Sequence, residues 1–289
     1  MRKFLALSIA ILMISVLMPK EVFAGAWTVP KHHVWGEVYT KYSWAKDCFE
    51  ANCKRNRLPG HAWSQEIHLE PKLEFGVTDW LTALGSVAWF WGQYEIYDRP
   101  PAWGSYYAKN NGLKYITAGG RARLFTNPCI GSVQVKSWIY PGYDNGKSPT
   151  PGKGDDAIEI KGLLGKSFIL PLYEKFGLPC YAGVESGYRF RNHHVANDVP
   201  IFLEGGFWPT NWFLVKGEID SYITAPTRRD DRKESYAIWR AGGVYQVFGG
   251  DSVYRKGQLF NIEITYGQTF WGCNTTAYQE VAWKVDVQF

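Results

Sequence analysis

A strict two-residue alternation runs through the end of the chain, from Ala277 to Phe289. One parity holds Val281, Trp283, Val285, Val287 and Phe289, and the other holds Glu280, Lys284, Asp286 and Gln288. Successive side chains of a β-strand point to opposite faces, so this segment is predicted to be a strand with one apolar and one polar face. Such a strand needs an apolar environment on one side only.

Eleven earlier segments alternate in the same way. They cover residues 34–44, 63–77, 80–91, 113–125, 131–140, 156–168, 180–191, 199–208, 211–224, 235–248 and 258–271. Short and long connections follow one another, which is typical of barrels with short periplasmic turns and longer outer loops. We therefore predict about twelve strands. Counts of ten or fourteen stay open, because 199–208 contains Pro200 and two glycines and 235–248 alternates weakly.

The N-terminus has the pattern of a secretory signal peptide. Arg2 and Lys3 precede an apolar run over residues 4–18, and Val22 and Ala24 stand at the spacing of a small-residue cleavage site. We expect a signal peptide over 1–24, with cleavage after Ala26 as the second choice, and a single barrel domain over 25–289. Its removal lowers the formal charge from +5 by about two. A surplus that small argues against a nucleic-acid partner.

The composition favours a membrane barrel over a soluble β-sandwich or barrel, which would also alternate. The chain has 14 Trp, 18 Tyr and 16 Phe, and no later apolar run reaches the roughly 18 residues of a transmembrane helix. Tryptophans cluster at segment ends, as in the aromatic girdles of outer-membrane barrels. The inner group comprises Trp80, Trp208 and Trp212, and the outer group comprises Trp44, Trp63, Trp91 and Trp271.

These patterns predict an all-β fold, a transmembrane antiparallel up-and-down β-barrel of the bacterial outer membrane, reached through the periplasm. An open sheet edge in lipid would leave backbone groups unpaired, so the barrel must close. The last strand resembles the closing strand of such barrels, whose terminal aromatic residue is an assembly signal. That resemblance implies a signal in Trp283, Val285, Val287 and Phe289, and it implies membrane lipid and the barrel-assembly machinery as partners.

On this register the inward face is polar and carries both signs of charge. The predicted lumen-facing residues are Glu37, Lys41, Glu66, His68, Glu70, Lys72, Glu74, Arg121, Arg123, Glu159, Lys161, Glu185, Arg189, Arg191, Lys216, Glu218, Asp220, Arg240, Glu263, Glu280, Lys284 and Asp286. They fit a lumen that carries solute, and they fit equally a network of ion pairs that fills a narrow bore. Twelve strands lie between the filled eight-stranded barrel and the open sixteen-stranded channel.

Five cysteines in an exported chain predict disulfides with one thiol left over. Cys48 and Cys53 share one loop, and Cys129 and Cys180 lie at turns expected on one side of the membrane, so these are the two candidate pairs. Cys273, in the last loop, competes for Cys48 or Cys53. We expect structural disulfides and no redox role.

The sequence predicts no metal site, no cofactor and no catalytic residue. Adjacent residues of a strand point to opposite faces, so the pairs His32-His33 and His193-His194 suit one metal ion poorly. The pairs Asp155-Asp156 and Asp230-Asp231 resemble the paired carboxylates of outer-membrane proteases, but they lie in polar loops where solvated charges are common. No His-x-Ser occurs, as outer-membrane phospholipases would require.

Several short motifs resemble a family of outer-membrane barrels named after the meta-pathway of phenol degradation. They are Gly25-Ala26-Trp27-Thr28-Val29-Pro30-Lys31, Glu74-Phe75-Gly76-Val77-Thr78-Asp79-Trp80-Leu81, Gly119-Gly120-Arg121-Ala122-Arg123-Leu124-Phe125 and Gly187-Tyr188-Arg189-Phe190-Arg191. Pro141-Gly142 stands where members often show Pro-Thr-Gly. The resemblance implies the barrel fold and a role in moving small, including aromatic, compounds, and it supplies no catalytic residue.

Three functions follow as hypotheses. The first is a passive, non-enzymatic channel or transporter for small molecules. The second is an outer-membrane enzyme that acts on lipid, lipopolysaccharide or peptide at the outer rim, suggested by the His and Asp content of the loops. The third is a structural or partner-binding barrel with a filled bore.

Overall fold

The computed structural model describes residues 26–97, 106–143, 149–152, 154–172, 176–192, 195–225, 233–248 and 259–289. The predicted signal peptide lies outside these ranges. Twelve strands form a closed antiparallel barrel. They are β1 (Val34–Ala45), β4 (Trp63–Thr78), β5 (Leu81–Ile96), β6 (Tyr106–Phe125), β7 (Ile130–Ile139), β8 (Ala157–Leu172), β9 (Phe176–Arg191), β10 (Asp198–Thr210), β11 (Phe213–Thr224), β12 (Ser235–Phe248), β13 (Leu259–Cys273) and β15 (Gln279–Gln288).

The barrel closes where the first strand meets the last. In the β1–β15 ladder Glu37 lies opposite Asp286. Val34 and Phe289 exchange two backbone hydrogen bonds, of 2.8 and 3.0 Å. The remaining strands pair in chain order, so every strand has two neighbours and the up-and-down topology is complete. The prediction of a twelve-stranded antiparallel barrel is confirmed.

The alternation places apolar side chains on the outer surface. Leu73, Leu124 and Ile264 are 57%, 65% and 60% exposed, whereas a soluble protein would bury most such residues against a second layer. They lie on the apolar face of their strands, which the sequence predicts to contact lipid. The described part of the chain contains no helix long and apolar enough to cross a bilayer.

The two ends of the barrel differ. The end with residues 79–80 between β4 and β5, residues 211–212 between β10 and β11, and Phe289 is called the turn end here. The opposite end is called the loop end. There the short strands β2 (Asp47–Phe49), β3 (Arg55–Arg57) and β14 (Thr275–Thr276) form a separate sheet in the order β14–β2–β3. The sequence missed this sheet because its strands are too short and polar to show a period.

The disulfide differs from the two predicted pairs. Cys53 bonds to Cys273, while Cys48, Cys129 and Cys180 are free thiols. β14 pairs with β2, which brings the last outer loop onto the first and makes Cys273 the partner. Cys129 precedes β7 and Cys180 lies in β9, so β8 separates them, and two strand spacings exceed the reach of a disulfide. The predicted pairs Cys48–Cys53 and Cys129–Cys180 are therefore wrong.

Two side chains, Lys114 and Trp208, lie inside the barrel although the sequence did not place them there. The register of β5 and β6 slips between Ala88 and Trp89, and an extra residue in a strand reverses the faces beyond it. Lys114 then lies inside, with its Nζ 5.8 Å from the centre of the Phe90 ring. Trp208 also faces inwards, because it shares the parity of Glu204 in β10. Its ring lies 5.4 Å from that of Tyr181, so it is not a girdle residue.

Candidate functional site: the barrel interior

Every predicted lumen-facing residue is buried or half-buried. One cluster surrounds Lys216, whose Nζ lies 3.0, 2.7 and 3.1 Å from carboxylate oxygens of Glu204, Glu218 and Glu263. Lys284 Nζ lies 2.9 Å from Glu263 on the other side. A buried charge without a partner costs several kcal/mol, so this mutual pairing is what allows charges on the inner wall.

A second set of pairs lies at the seam between the first and last strands, and one of them, Lys41 to Glu280, crosses it. Glu280 of β15 receives Arg240 Nε at 2.6 Å and Lys41 Nζ of β1 at 3.2 Å. Lys72 of β4 in turn reaches Glu37 of β1 at 2.8 Å. These contacts add charge-assisted hydrogen bonds to the backbone ladder that closes the barrel.

On the opposite wall Arg189 lies between two aromatic rings. Its Nη2 donates to Glu159 at 2.5 Å. The guanidinium lies 4.3 Å from the ring centre of Trp138 and 4.6 Å from that of Tyr222. Stacking on both faces and the carboxylate together fix the arginine against the wall.

Glu70, on the inner face, accepts hydrogen bonds from two hydroxyl groups. Ser86 Oγ donates to Glu70 Oε1 at 2.7 Å, and Tyr115 Oη donates to Oε2 at 3.0 Å. His68 Nε2 lies 3.3 Å from Oε2. Because Ser86 bonds to the carboxylate and to Thr117, and His68 bonds to Glu70, the set lacks the hydroxyl–imidazole contact that activates a serine nucleophile.

The described ion pairs follow the wall of the barrel. The widest, Lys284 to Glu218 at 3.5 Å, joins β15 to β11, which are three places apart in the ring of strands. Arg121 to Glu74 at 2.8 Å joins strands two places apart. Opposite strands in a twelve-stranded ring are six places apart. The described charges therefore line the bore and do not bridge it.

The bore is instead crossed near the turn end by residues Ala26–Pro30, called here the N-terminal plug. Arg121 Nη1 donates to the carbonyl oxygen of Trp27 at 2.7 Å, and Ser132 Oγ donates to that of Ala26 at 2.5 Å. The Val29 amide donates to Thr82 Oγ1 at 2.9 Å. These contacts satisfy backbone groups that would otherwise be buried without partners.

The Trp27 side chain anchors the plug. It is 4% exposed and packs with Leu163, Tyr181 and Leu214, which belong to β8, β9 and β11. A Cβ added at Gly165 would lie 2.2 Å from the indole atom Cζ3, so the absence of a side chain at this position makes room for the ring. A buried tryptophan removes a large apolar area from water, which makes Trp27 the main apolar anchor of the plug.

Gly76 serves the other end of the plug. A Cβ there would lie 1.9 Å from the carbonyl oxygen of Pro30. The Gly76 carbonyl accepts a 2.8 Å hydrogen bond from the His32 amide, and its own amide donates to His33 at 3.0 Å. The plug was not predicted from the sequence, because a segment of five residues shows no period. Its one signal was the pair Trp27 and Val29, apolar residues directly after the expected signal peptide.

Several charged residues of the interior are absent from the predicted set, among them Asp155, Asp198, Glu204 and Lys114. Arg191 lies 2.7 Å from Asp155 and 2.6 Å from Asp198, at the loop end. Glu204 joins the Lys216 cluster, and Lys114 enters through the irregularity between β5 and β6. Glu204 was detectable from parity within 199–208, whereas Asp155 precedes β8 and had no strand to place it.

The adjacent carboxylates of Asp155 and Asp156 bind different partners and do not form one site. Asp155 binds Arg191, while Asp156 Oδ1 accepts the Tyr140 amide at 2.7 Å. Within the ranges that the structure describes, no group of three His, Cys, Asp or Glu residues is placed to hold a metal ion. His193-His194 and Asp230-Asp231 lie outside those ranges.

No family model and no curated protein sequence matches the chain. Among solved structures, it is similar to an outer membrane channel from Pseudomonas putida F1, with a TM-score of 0.59 and 12% identity over 93% of this chain and 100% of that chain. The chain has the fold of that channel. At 12% identity the likeness concerns architecture alone, and it agrees with the resemblance to outer-membrane barrels that the sequence motifs suggested.

Two further structures match with lower scores. The transport unit of the autotransporter AIDA-I from Escherichia coli gives a TM-score of 0.45 at 10% identity, covering 96% of both chains. The Pseudomonas putida toluene transporter TodX gives 0.38 at 10% identity, covering 90% of both chains.

Proposed function

We propose that the chain is a passive, non-enzymatic channel for small molecules in a bacterial outer membrane, closed at its turn end by the N-terminal plug. The observation that carries this proposal is the polar inner face of the barrel, whose described ion pairs join strands no more than three places apart and so line the wall. A wall with alternating charges of both signs keeps water and polar solutes in the bore. A barrel that served only as an anchor would have no need of it.

The orientation follows from the loops. Short turns and both chain termini of outer-membrane barrels face the periplasm, and longer loops face outwards. The turn end and the plug are then periplasmic, and the sheet β14–β2–β3 is external. Export through the periplasm and delivery to the barrel-assembly machinery belong to the same proposal. Phe289, 58% exposed on the outer face, is available to such a partner.

A structural barrel with a permanently blocked bore is the second candidate, and the plug is the observation that favours it. Passage of solute requires the plug to leave or to shift. An enzyme receives less support, because Ser86 and His68 both bond to Glu70 and form no nucleophile–base pair.

Proteoliposomes test the two candidates directly. We compare solute uptake by the wild-type chain and by a variant that lacks residues 26–30. This deletion removes the plug and retains the hydrogen bonds of His32 and His33 with Gly76. A channel admits small solutes at least in the deletion variant. Uptake by neither protein would establish the blocked barrel. Turnover of phospholipid, lipopolysaccharide or peptide by the pure protein would establish an enzyme.

A further inference from the structure

A groove of about 800 Å³ opens on the outer face of the barrel at the loop end, beside β1 and β4. Its walls are aromatic, formed by Tyr42, Trp44, Trp63 and Tyr97, and its rim carries Lys46 and Arg57. Tyr42 and Trp44 share the outward parity of Val38 and stack at 5.5 Å. The groove is therefore continuous with the surface that faces lipid, at the level where aromatic girdles meet headgroups.

The cations at the rim are held in place by the outer sheet. Arg55 Nη2 lies 2.9 Å from Asp47, and Arg57 Nε lies 3.6 Å from the other oxygen of that carboxylate. β3 carries both arginines and pairs with β2, and the Cys53–Cys273 disulfide ties the hairpin to the last loop. Arg57 remains 67% exposed, so it is positioned and still free to bind.

The charge of the groove is positive. A smaller cavity of about 380 Å³ adjoins it, shares Trp44, Lys46 and Arg57, and adds Arg55 and Asp47. The walls of the two cavities thus hold three cations and one carboxylate. Glu95, on the neighbouring strand β5, already accepts the Tyr97 hydroxyl at 2.8 Å. An anion is the ligand that this arrangement recognises.

We propose that this groove binds the phosphorylated headgroup of a lipid in the outer leaflet of the membrane that the barrel spans. Lys46 and Arg57 bind the phosphate, the rings of Trp44 and Trp63 cover the sugar or glycerol portion, and the acyl chains run down the outer face along Val38 and Ile67. Arginine pairs with phosphate through two parallel hydrogen bonds, and rings at this depth prefer a surface that is half wet and half apolar. The proposal rests on the transmembrane barrel and not on transport.

The test uses full-length mature protein in phosphatidylcholine nanodiscs, titrated with diphosphoryl lipid A. The double variant Lys46→Ala/Arg57→Ala removes the two rim cations. Lys109→Ala is the matched control, because Lys109 is an exposed lysine at the loop end of β6 that lines neither cavity. We expect the double variant to bind at least about tenfold more weakly than the wild type, and we expect Lys109→Ala to bind as the wild type does.

Three results overturn the proposal. The first is equal affinity of the wild type and the double variant for lipid A. The second is an equal loss of affinity in Lys109→Ala, which would show diffuse attraction between basic protein and acidic lipid. The third is equal affinity of the wild type for lipid A with and without its two phosphates. Solute uptake is measured on the same purified proteins after reconstitution into sealed proteoliposomes. It stays at the wild-type level in the double variant, so failure of the lipid site and failure of the channel are distinguishable.

Discussion

Arg121, on the inner wall of β6, donates a 2.7 Å hydrogen bond to the carbonyl oxygen of Trp27 and forms an ion pair with Glu74. One guanidinium thus connects the N-terminal plug to the charged lining of the bore. Because the same side chain serves both, the state of the plug and the electrostatics of the wall are coupled.

Replacement of Arg121 by glutamine should destabilise the protein. The change leaves Glu74 without its cation and the Trp27 carbonyl without a donor, and breaking such a pair costs about 3 kcal/mol of unfolding free energy. Urea titration of the protein in detergent micelles measures the loss. Arg123→Gln is the control, because Arg123 faces inwards on the same strand and takes part in none of the described ion pairs. Equal stability of the two variants would contradict the role assigned to Arg121.

Gly165→Val should expel the plug without touching it directly. The new side chain would occupy the space of the Trp27 ring, where even a Cβ comes within 2.2 Å, and overpacking of this kind costs about 1–3 kcal/mol. We expect proteases added from the turn end to remove the N-terminal segment faster than in the wild type. Gly162→Val is the control, since the nearest contact of a Cβ there is 4.0 Å. Equal cleavage rates in the two variants would mean that Trp27 does not depend on this gap.

The ion selectivity of the open bore should depend on Lys216. Lys216→Met leaves three carboxylates with one cation fewer, and one charge at contact distance is worth about 1 kcal/mol in water. In a Trp27→Ala background, the cation-to-anion permeability ratio should rise by about fivefold. Reversal potentials in a salt gradient measure it, with the outward-facing Lys166→Met as control. A shift towards anions would contradict the assignment of Lys216 to the lumen.

The disulfide and the reactivity of the Cys48 thiol should reflect the structure of the outer sheet. Peptide mapping without reduction should yield a single crosslink, Cys53 to Cys273. Burial and the carboxylates of Glu50 and Asp47 raise the pKa of the Cys48 thiol. Since the thiolate is the reactive form, Cys48 should be alkylated more slowly at neutral pH than the same residue in an unfolded peptide of residues 46–52. Its rate should rise at a more alkaline pH than that of the peptide. Alkylation at the peptide's rate throughout would contradict the placement of Cys48.

The sequence predicted the barrel well because a membrane imposes the strand period on every segment. Residues 235–248 are predicted as a strand despite weak alternation, and β12 spans Ser235–Phe248. The failures occur where the period is broken or absent. The shift between β5 and β6 reverses the face of Lys114, and β2 and β3 are too short to alternate.

The plug and the disulfide escaped prediction for a different reason. Both depend on which distant segments meet after closure, as when Cys273 arrives beside Cys53 through the pairing of β14 with β2. Alternation states the face of a residue and contains no information on contacts across the bore. Trp27 was visible in the sequence as an apolar residue ahead of the first strand. Its position is explained by the space that the missing side chain of Gly165, in the distant strand β8, leaves for the ring.

Single-channel recording in planar bilayers tests the central claim most directly, that a conducting bore is closed by the N-terminal plug. The comparison is between the wild type, Trp27→Ala and Trp212→Ala. Trp212 is the control, because it is 53% exposed on the outer face at the same end. We predict that Trp27→Ala is open for a larger share of the time than the wild type, because the plug loses its anchor, and that Trp212→Ala matches the wild type. The same silent trace from all three proteins would contradict the account.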